Sequence, residues 1–249
     1  MNVSIITATF NSSAHIVDCL ASVYEQTYPN IEHIIIDGAS KDNTLEIIKS
    51  MPNRVSKIVS EPDGGIYDAM NKGVKLATGD IVGILNSDDF YATNTIIETV
   101  VNAFQEKNVD SVFGNLDFVA SENTNKVIRH WKSSPFIQGS FVRGWHPSHP
   151  TFFVRRNIYK NYGIFDTSLD VSADFELMLR FLEKHKISTF YLDETIVKMR
   201  YGGESTGSLK RIITGNKNIL KAFKKNNIKV SPFYTFNRIF SKAKQFIQR

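Results

Sequence analysis

The apolar run Ile81-Val82-Gly83-Ile84-Leu85 ends abruptly in Asn86-Ser87-Asp88-Asp89-Phe90. A run of that length reads as a strand buried on both faces of a parallel sheet. The two adjacent carboxylates at its end repel one another, and each loses hydration as a site closes over them. A divalent cation bridging to phosphate oxygens relieves both problems. In open α/β sheets ligands sit beyond the carboxyl ends of the strands. A nucleotide diphosphate and its metal are therefore expected here. Asn, Ser and Asp are also turn formers, so the stretch alone supports an ordinary strand-ending turn equally well.

The preceding residues tip the balance. Asn2-Val3-Ser4-Ile5-Ile6-Thr7-Ala8-Thr9-Phe10-Asn11 reads as a strand that ends in small polar residues. Ser12 and Ser13 can cap a following helix with Ile16, Leu20 and Val23 on one face. A second strand, His33-Ile34-Ile35-Ile36, ends in Asp37-Gly38-Ala39-Ser40-Lys41-Asp42-Asn43-Thr44, followed by a short helix at Leu45-Glu46-Ile47-Ile48. Glu61 through Gly73 leads into a third helix. A structural loop needs no aspartate each time a strand ends, whereas a nucleotide site built from strand ends does. Strand and helix signals alternate to about Phe118, as expected of an open, mostly parallel sheet.

Taken in order, Thr7 to Asn11, Ile36 to Thr44 and Asn86 to Asp89 resemble the successive motifs of family 2 glycosyltransferases of the GT-A fold. Glu61 to Gly73 resembles the bacterial branch that builds O-antigen, capsule and exopolysaccharide units. The resemblance covers about residues 1 to 205. It implies a Rossmann-like mixed, mostly parallel sheet flanked by helices, with a C-terminal helical basic tail. It also implies a nucleotide-sugar half at residues 1–118, an acceptor half at 119–207, and amphipathic basic helices at 208–249. The implied reaction is inverting, metal-dependent transfer from a UDP-sugar to a glycan, with a lipid-linked acceptor and Mn²⁺ or Mg²⁺ as cofactor.

The resemblance assigns roles to residues. Asp89 is expected to hold the metal directly, with Asp88 nearer the ribose and phosphates; Asn86 stands where an aspartate is common and lowers the local charge. Asp174, within Val171-Ser172-Ala173-Asp174-Phe175-Glu176-Leu177, is the expected base for the acceptor hydroxyl. It departs from the family pattern in having Ala173 where a glutamate often stands; Glu176 is expected to support it. At the start of a helix its charge is favoured by the dipole, although it could simply cap that helix. Asp37 is expected to meet the uracil imide. Thr7, Thr9 and Asn11 would line the nucleotide, and Asp63 and Asn71 would complete the nucleoside pocket. Lys72 could meet a phosphate. His149, and less so His146, could bind acceptor or reach the metal or diphosphate. Arg200 and the Tyr201 to Ser205 loop could close over the diphosphate.

The 249 residues, 42% of them apolar and 12% aromatic, suffice for a substantial core. Cys19 is the only cysteine, so no disulfide framework exists, as suits the cytosol. With a strand beginning at residue 2, no signal peptide is expected, and no window approaches the roughly 18 to 20 apolar residues of a membrane span. The net charge of +5 hides an asymmetry. No acidic residue follows Glu204, whereas eleven basic ones do; residues 1–204 hold nineteen basic against twenty-five acidic. A basic tail with an anionic partner is expected. Two amphipathic stretches, Leu209 to Phe223 and Phe236 to Ile247, flank Pro232. They can rest on the anionic inner face of the plasma membrane or pack on the catalytic domain; no nucleic-acid motif is present. A homo-oligomer is compatible with the sequence. The competing classes are a nucleotidyltransferase, which lacks its glycine-rich, basic loop at residues 7–15, and a non-catalytic sugar-nucleotide-binding scaffold, supported only by Asn86 and Ala173.

Overall fold

The computed structural model of the chain describes residues 1–202, 209–231 and 234. Among them the chain begins with β1 (Val3–Thr9), α1 (Ile16–Tyr24), β2 (Ile31–Asp37), α2 (Thr44–Ser50), β3 (Val55–Ser60), α3 (Ile66–Leu76) and β4 (Ile81–Ile84). It continues through β5 (Phe90–Tyr91), α4 (Ile96–Lys107), β6 (Ser111–Val119), β7 (Val127–Trp131), β8 (Phe153–Arg155) and α5 (Arg156–Tyr162). Last come α6 (Ala173–Leu179), β9 (Thr189–Arg200) and α7 (Leu209–Lys225).

All strands share one sheet in the order β3-β2-β1-β4-β8-β6-β9-β5, with β7 paired to β6. β3, β2, β1 and β4 run parallel. β8 is antiparallel to both β4 and β6, and β9 is parallel to β6. This is the mixed, mostly parallel sheet flanked by helices that the family resemblance implies. β1 lies between β2 and β4, so the chain leaves it toward one edge and returns on its other side. Such a reversal of strand order opens a crevice at the carboxyl ends.

Alternation along the central strands feeds two cores. Val3 and Ile5 point to one face with Ile16, Leu20 and Ile35, while Ile6 and Ala8 point to the other with Ile34, Ile36 and Ile84. α3 covers the second face, and Gly73 permits the approach: a Cβ there would lie 2.2 Å from Ile6 Cγ2.

The helix expected to start near Asp174 forms as α6, continued by a π-turn at Arg180–Lys184, with Phe175, Leu179 and Leu182 buried. Residues 119 to 150 contain β7 and a 3₁₀ turn at Phe141–Arg143, and another follows at His149–Thr151. β7 exposes Val127, Ile128 and His130 and exists through its ladder with β6. A strand defined by its partner leaves no apolar alternation to read. The first tail stretch is α7, which buries Ile219, Ala222 and Phe223. The second lies outside the described residues.

Candidate active site

The loops that follow β1, β2 and β4 are bound to one another. Gly38 N donates to Thr9 O at 2.9 Å, Asn11 N to Ser40 Oγ at 2.8 Å, and Lys41 N to Asn11 Oδ1 at 2.9 Å. Asn11 and Ala39 both hold positive φ, 48° and 63°, which is uncommon outside glycine and marks tight turns. Ser13 N and Thr44 donate to Asp42, whose carboxyl is thereby held well below the usual carboxylate range. Ser12 Oγ and Ser87 Oγ lie 2.9 Å apart, which ties the first loop to the acidic turn after β4.

In that turn Asp88 is half-buried and Asp89 fully buried. Asn86 Nδ2 donates to Asp89 Oδ2 at 2.9 Å. Burial, and then the neighbouring Asp88 charge, push the Asp89 carboxyl well above its ordinary range. Arg200 supports the turn from beneath. Its guanidinium donates to the Asp88 carbonyl at 2.5 Å, pairs with Asp18 of α1, and lies 5.2 Å over the Phe90 ring. Arg200 is itself buried, so it is committed to the protein rather than poised to close over a diphosphate. Residues 203–208 of the loop that follows lie outside the described residues.

Asn86 Oδ1, Asp89 Oδ1 and Thr9 Oγ1 are buried oxygens without a hydrogen-bond partner. Hard divalent cations take oxygen ligands, and magnesium-type sites use one or two carboxylates plus substrate phosphates rather than a complete protein cage. The donor set of this turn fits such an ion. Among the described residues no cluster of three or more His, Cys, Asp or Glu side chains is placed to hold a metal.

His149 faces Asp174. Its Nε2 lies 3.9 Å from Asp174 Oδ2, and burial holds the imidazole below its ordinary pKa, so it is neutral near pH 7. Tyr67 of α3 donates to Asp174 Oδ1 at 2.8 Å. Asp174 is the second residue of α6, and its side chain keeps a quarter of its surface open. One small cavity is lined by Asp174, His149 and Ile84, the last residue of β4. Glu176, expected to support the base, is buried and taken up by Arg180 and by Asn226.

Several residues expected at the nucleotide have side-chain partners within the protein. Thr7 is buried, with Oγ1 3.0 Å from His33 Nε2, because its side chain alternates into the core. Asn71 is buried and grips the Phe165 backbone with two 2.9 Å bonds, joining α3 to the segment before α6. Asp37 is fully buried; Ser40 donates to it at 2.5 Å and 3.0 Å and Ser60 at 2.6 Å, so it braces the loop from within. Lys72 pairs with Glu61 at 2.8 Å. Arg155 and Arg156 donate to the carbonyls of Val109 and Gly79. His146 stacks edgewise against Trp131 and Phe175. Asn11 is exposed, and Asp63 is half-buried over Gly38, where a Cβ would meet Asp63 Oδ2 at 2.7 Å. Asp63 and Asn11 therefore remain on the rim of the crevice. Tyr67 was missed; only its position in the Glu61 to Gly73 stretch could have marked it.

The chain matches the family model for glycosyl transferase family 2 over residues 4–169. It is 30% identical over 207 residues to a PGL/p-HBAD biosynthesis glycosyltransferase of Mycobacterium tuberculosis, covering 81% of this chain and 78% of that one. It is 37% identical over 116 residues to glycosyltransferase GlyG of Streptococcus pneumoniae, but that match spans 45% of this chain and only 38% of GlyG. Among solved structures, S. aureus TarS 1–349 in complex with UDP superposes with a TM-score of 0.65 at 18% identity, over 90% of this chain and 65% of that one. The mannosyltransferase PcManGT of Pyrobaculum calidifontis, in complex with GDP-Man and Mn²⁺, gives 0.66 at 19% identity, over 98% and 69%. At those identities the likeness establishes a shared fold, the GT-A arrangement.

Proposed function

The chain belongs to glycosyl transferase family 2, and from that premise we propose that it transfers a sugar from a UDP-sugar to a glycan acceptor with inversion and with a divalent cation. The observation that supports this reading is a pair of carboxylate environments, one in the turn after β4 and one in a small cavity that the last residue of β4 helps to line. Asp88 and Asp89 occupy the turn after β4, while Asp174 and Ile84 line a common cavity.

The chemistry divides between them. The acceptor hydroxyl passes its proton to Asp174 Oδ2 as its oxygen bonds the anomeric carbon. The bond from that carbon to the diphosphate breaks on the opposite side, which inverts the centre, and UDP leaves. A bound divalent cation supplies charge neutralisation for the leaving diphosphate. Asp88, the more accessible of the pair, would hold it directly, with Asp89 and Asn86 presenting oxygens from beneath. This reverses the order of roles expected for the two aspartates. Asp63 and Asn11 would meet the nucleoside from the rim. Residues 1–118 thus act as the donor half and 119–207 as the acceptor half, although both contribute strands to one sheet. TarS with UDP and PcManGT with GDP-Man and Mn²⁺ support the class of donor and metal.

The finer assignment is synthesis of a surface polysaccharide of the O-antigen or capsule kind on a lipid-linked acceptor, at the inner face of the plasma membrane. It rests on the Glu61 to Gly73 stretch and on α7. Among the described residues no helix is long and apolar enough to cross a membrane. α7 exposes Arg211, Lys217, Lys221 and Lys224 beside Ile213 and Leu220, a combination suited to an anionic lipid surface.

Thermal melting with UDP, GDP, dTDP and CMP, each with and without Mn²⁺, tests the donor reading. A ligand at about 100 times its Kd adds about 2.7 kcal/mol, which is roughly 5–10 °C for a domain of this size. A shift with UDP that requires Mn²⁺ and disappears in Asp88→Asn is expected. Asp174→Asn should keep that shift and lose transfer. No shift with any nucleotide would overturn the reading.

A further inference from the structure

We propose that Tyr67 is the positioning residue for Asp174, fixing the carboxylate through Oδ1 so that Oδ2 is presented to the acceptor, and tying that placement to the loop that carries the donor. The proposal rests on the reading of Asp174 as the base.

Tyr67 and Asp174 are 107 residues apart and meet through the 2.8 Å hydrogen bond from the phenol. The phenol has little freedom to leave. Its ring is buried and stacked on Phe165 with centroids 5.7 Å apart. Phe165 is in turn held by both backbone bonds from Asn71, one turn further along α3. Burial, reinforced by the Asp174 charge, keeps the phenol protonated far above neutral pH, so it remains a donor. The other groups facing the carboxylate do not compete for Oδ1. His149, from the turn at His149–Thr151, stands off at 3.9 Å from Oδ2. Tyr159 of α5 lines the cavity, and Met70, Phe152, Phe165 and Leu177 supply apolar walls. A carboxylate gripped at one oxygen has its second oxygen aimed, and aim is what a general base needs.

The segment that leads into this first turn of α3 reaches the donor side. Asp63 Oδ1 accepts from Gly65 N at 2.8 Å, and Asp63 packs over Gly38 in the loop after β2. The group that orients the base therefore stands only four positions after a group on the nucleotide rim. In the reaction the acceptor proton moves to Asp174 Oδ2 and Tyr67 keeps its own, so no further proton carrier is required.

Tyr67→Phe retains the ring and its stack and removes only the hydroxyl. Release of UDP from UDP-glucose, UDP-galactose and UDP-N-acetylglucosamine in Mn²⁺, with water as acceptor, reports kcat and donor KM. The expected result is a fall in kcat of about 10- to 100-fold, the worth of one hydrogen bond to a charged group. The donor KM should stay within about twofold, since donor contacts are untouched. In an Asp174→Asn background the same substitution should cause no further loss, because its effect passes through the carboxylate. Unchanged kcat in Tyr67→Phe, with Asp174→Asn inactive, overturns the positioning role alone. An equal loss in both backgrounds also overturns it, by assigning Tyr67 a merely structural part. Full kcat in Asp174→Asn removes the base assignment and the proposal together.

Discussion

The side-chain amide of Asn226 donates to Glu176 Oε1 at 2.9 Å, joining the segment after α7 to the helix that carries Asp174. Arg180 occupies both oxygens of the same carboxylate from the other side. Asn218 to Asp170 and Lys225 to Asp166 add two further ties along α7. The tail helix is thus packed on the domain along one face, whatever its other face meets. Asn226→Ala would leave a buried carboxylate with one donor fewer, at a cost of about 1–3 kcal/mol. A lower urea midpoint with an unchanged m-value is expected; an unchanged midpoint would show that the contact contributes nothing.

Gly73 decides how closely α3 approaches β1. Alanine improves helix propensity by up to about 1 kcal/mol, which alone would stabilise the protein. The added Cβ, however, would stand 2.2 Å from Ile6 Cγ2 in a filled core, and overpacking costs about 1–3 kcal/mol. The clash should win. Gly73→Ala is expected to melt several degrees lower, and because Tyr67 lies on the same helix, its catalytic rate should fall too.

His33 supplies a pH dependence. It is wholly buried beside Thr7, and burial pushes its pKa down to about 3. The unfolded chain binds a proton at this residue below about pH 6.5, whereas the folded protein resists it down to about 3. Stability from this group is therefore complete above pH 6.5 and is lost at about 1.4 kcal/mol per pH unit as pH falls below it. Between pH 6.5 and 5 most carboxylates remain ionised, and His149 and His185, which burial also holds below their ordinary pKa, share the slope with His33. Urea midpoints measured across that window should fall in the wild type and fall less in His33→Gln; equal slopes would refute the assignment.

The outward face of α7 makes a prediction that deletion could not test cleanly, since removing the helix uncovers Phe175 and its neighbours. Replacing Lys217, Lys221 and Lys224 with glutamate alters only exposed positions. Each basic residue near an anionic leaflet is worth about 1 kcal/mol. Sedimentation with phosphatidylglycerol vesicles should be lost in the triple variant while its melting point is kept. Equal sedimentation of both proteins would sink the membrane role of this helix.

Much of this was legible in the residues themselves. The apolar runs of β1, β2 and β4, each ending in a polar loop, dictate parallel strands and a crevice at their carboxyl ends, because side-chain alternation and turn chemistry are local properties. The amphipathic period of α7 and the excess of lysine after Glu204 were equally local. What the sequence could not fix was which way each polar side chain turns once the strands are in register. Thr7 and Thr9 are two apart on one strand and share a face, yet only Thr7 finds His33, because β2 brings that residue alongside. Asn71 and Tyr67 meet their partners, the Phe165 backbone and Asp174, only once α3 lies against the sheet. β7 owes its existence to β6. Local sequence therefore determined the elements and where their ends converge. The pairing of Tyr67 with Asp174 across 107 residues, and the burial of Asp89 beside a more open Asp88, were decided only by tertiary packing, since hydrogen-bond partners and desolvation depend on neighbours brought from elsewhere in the chain.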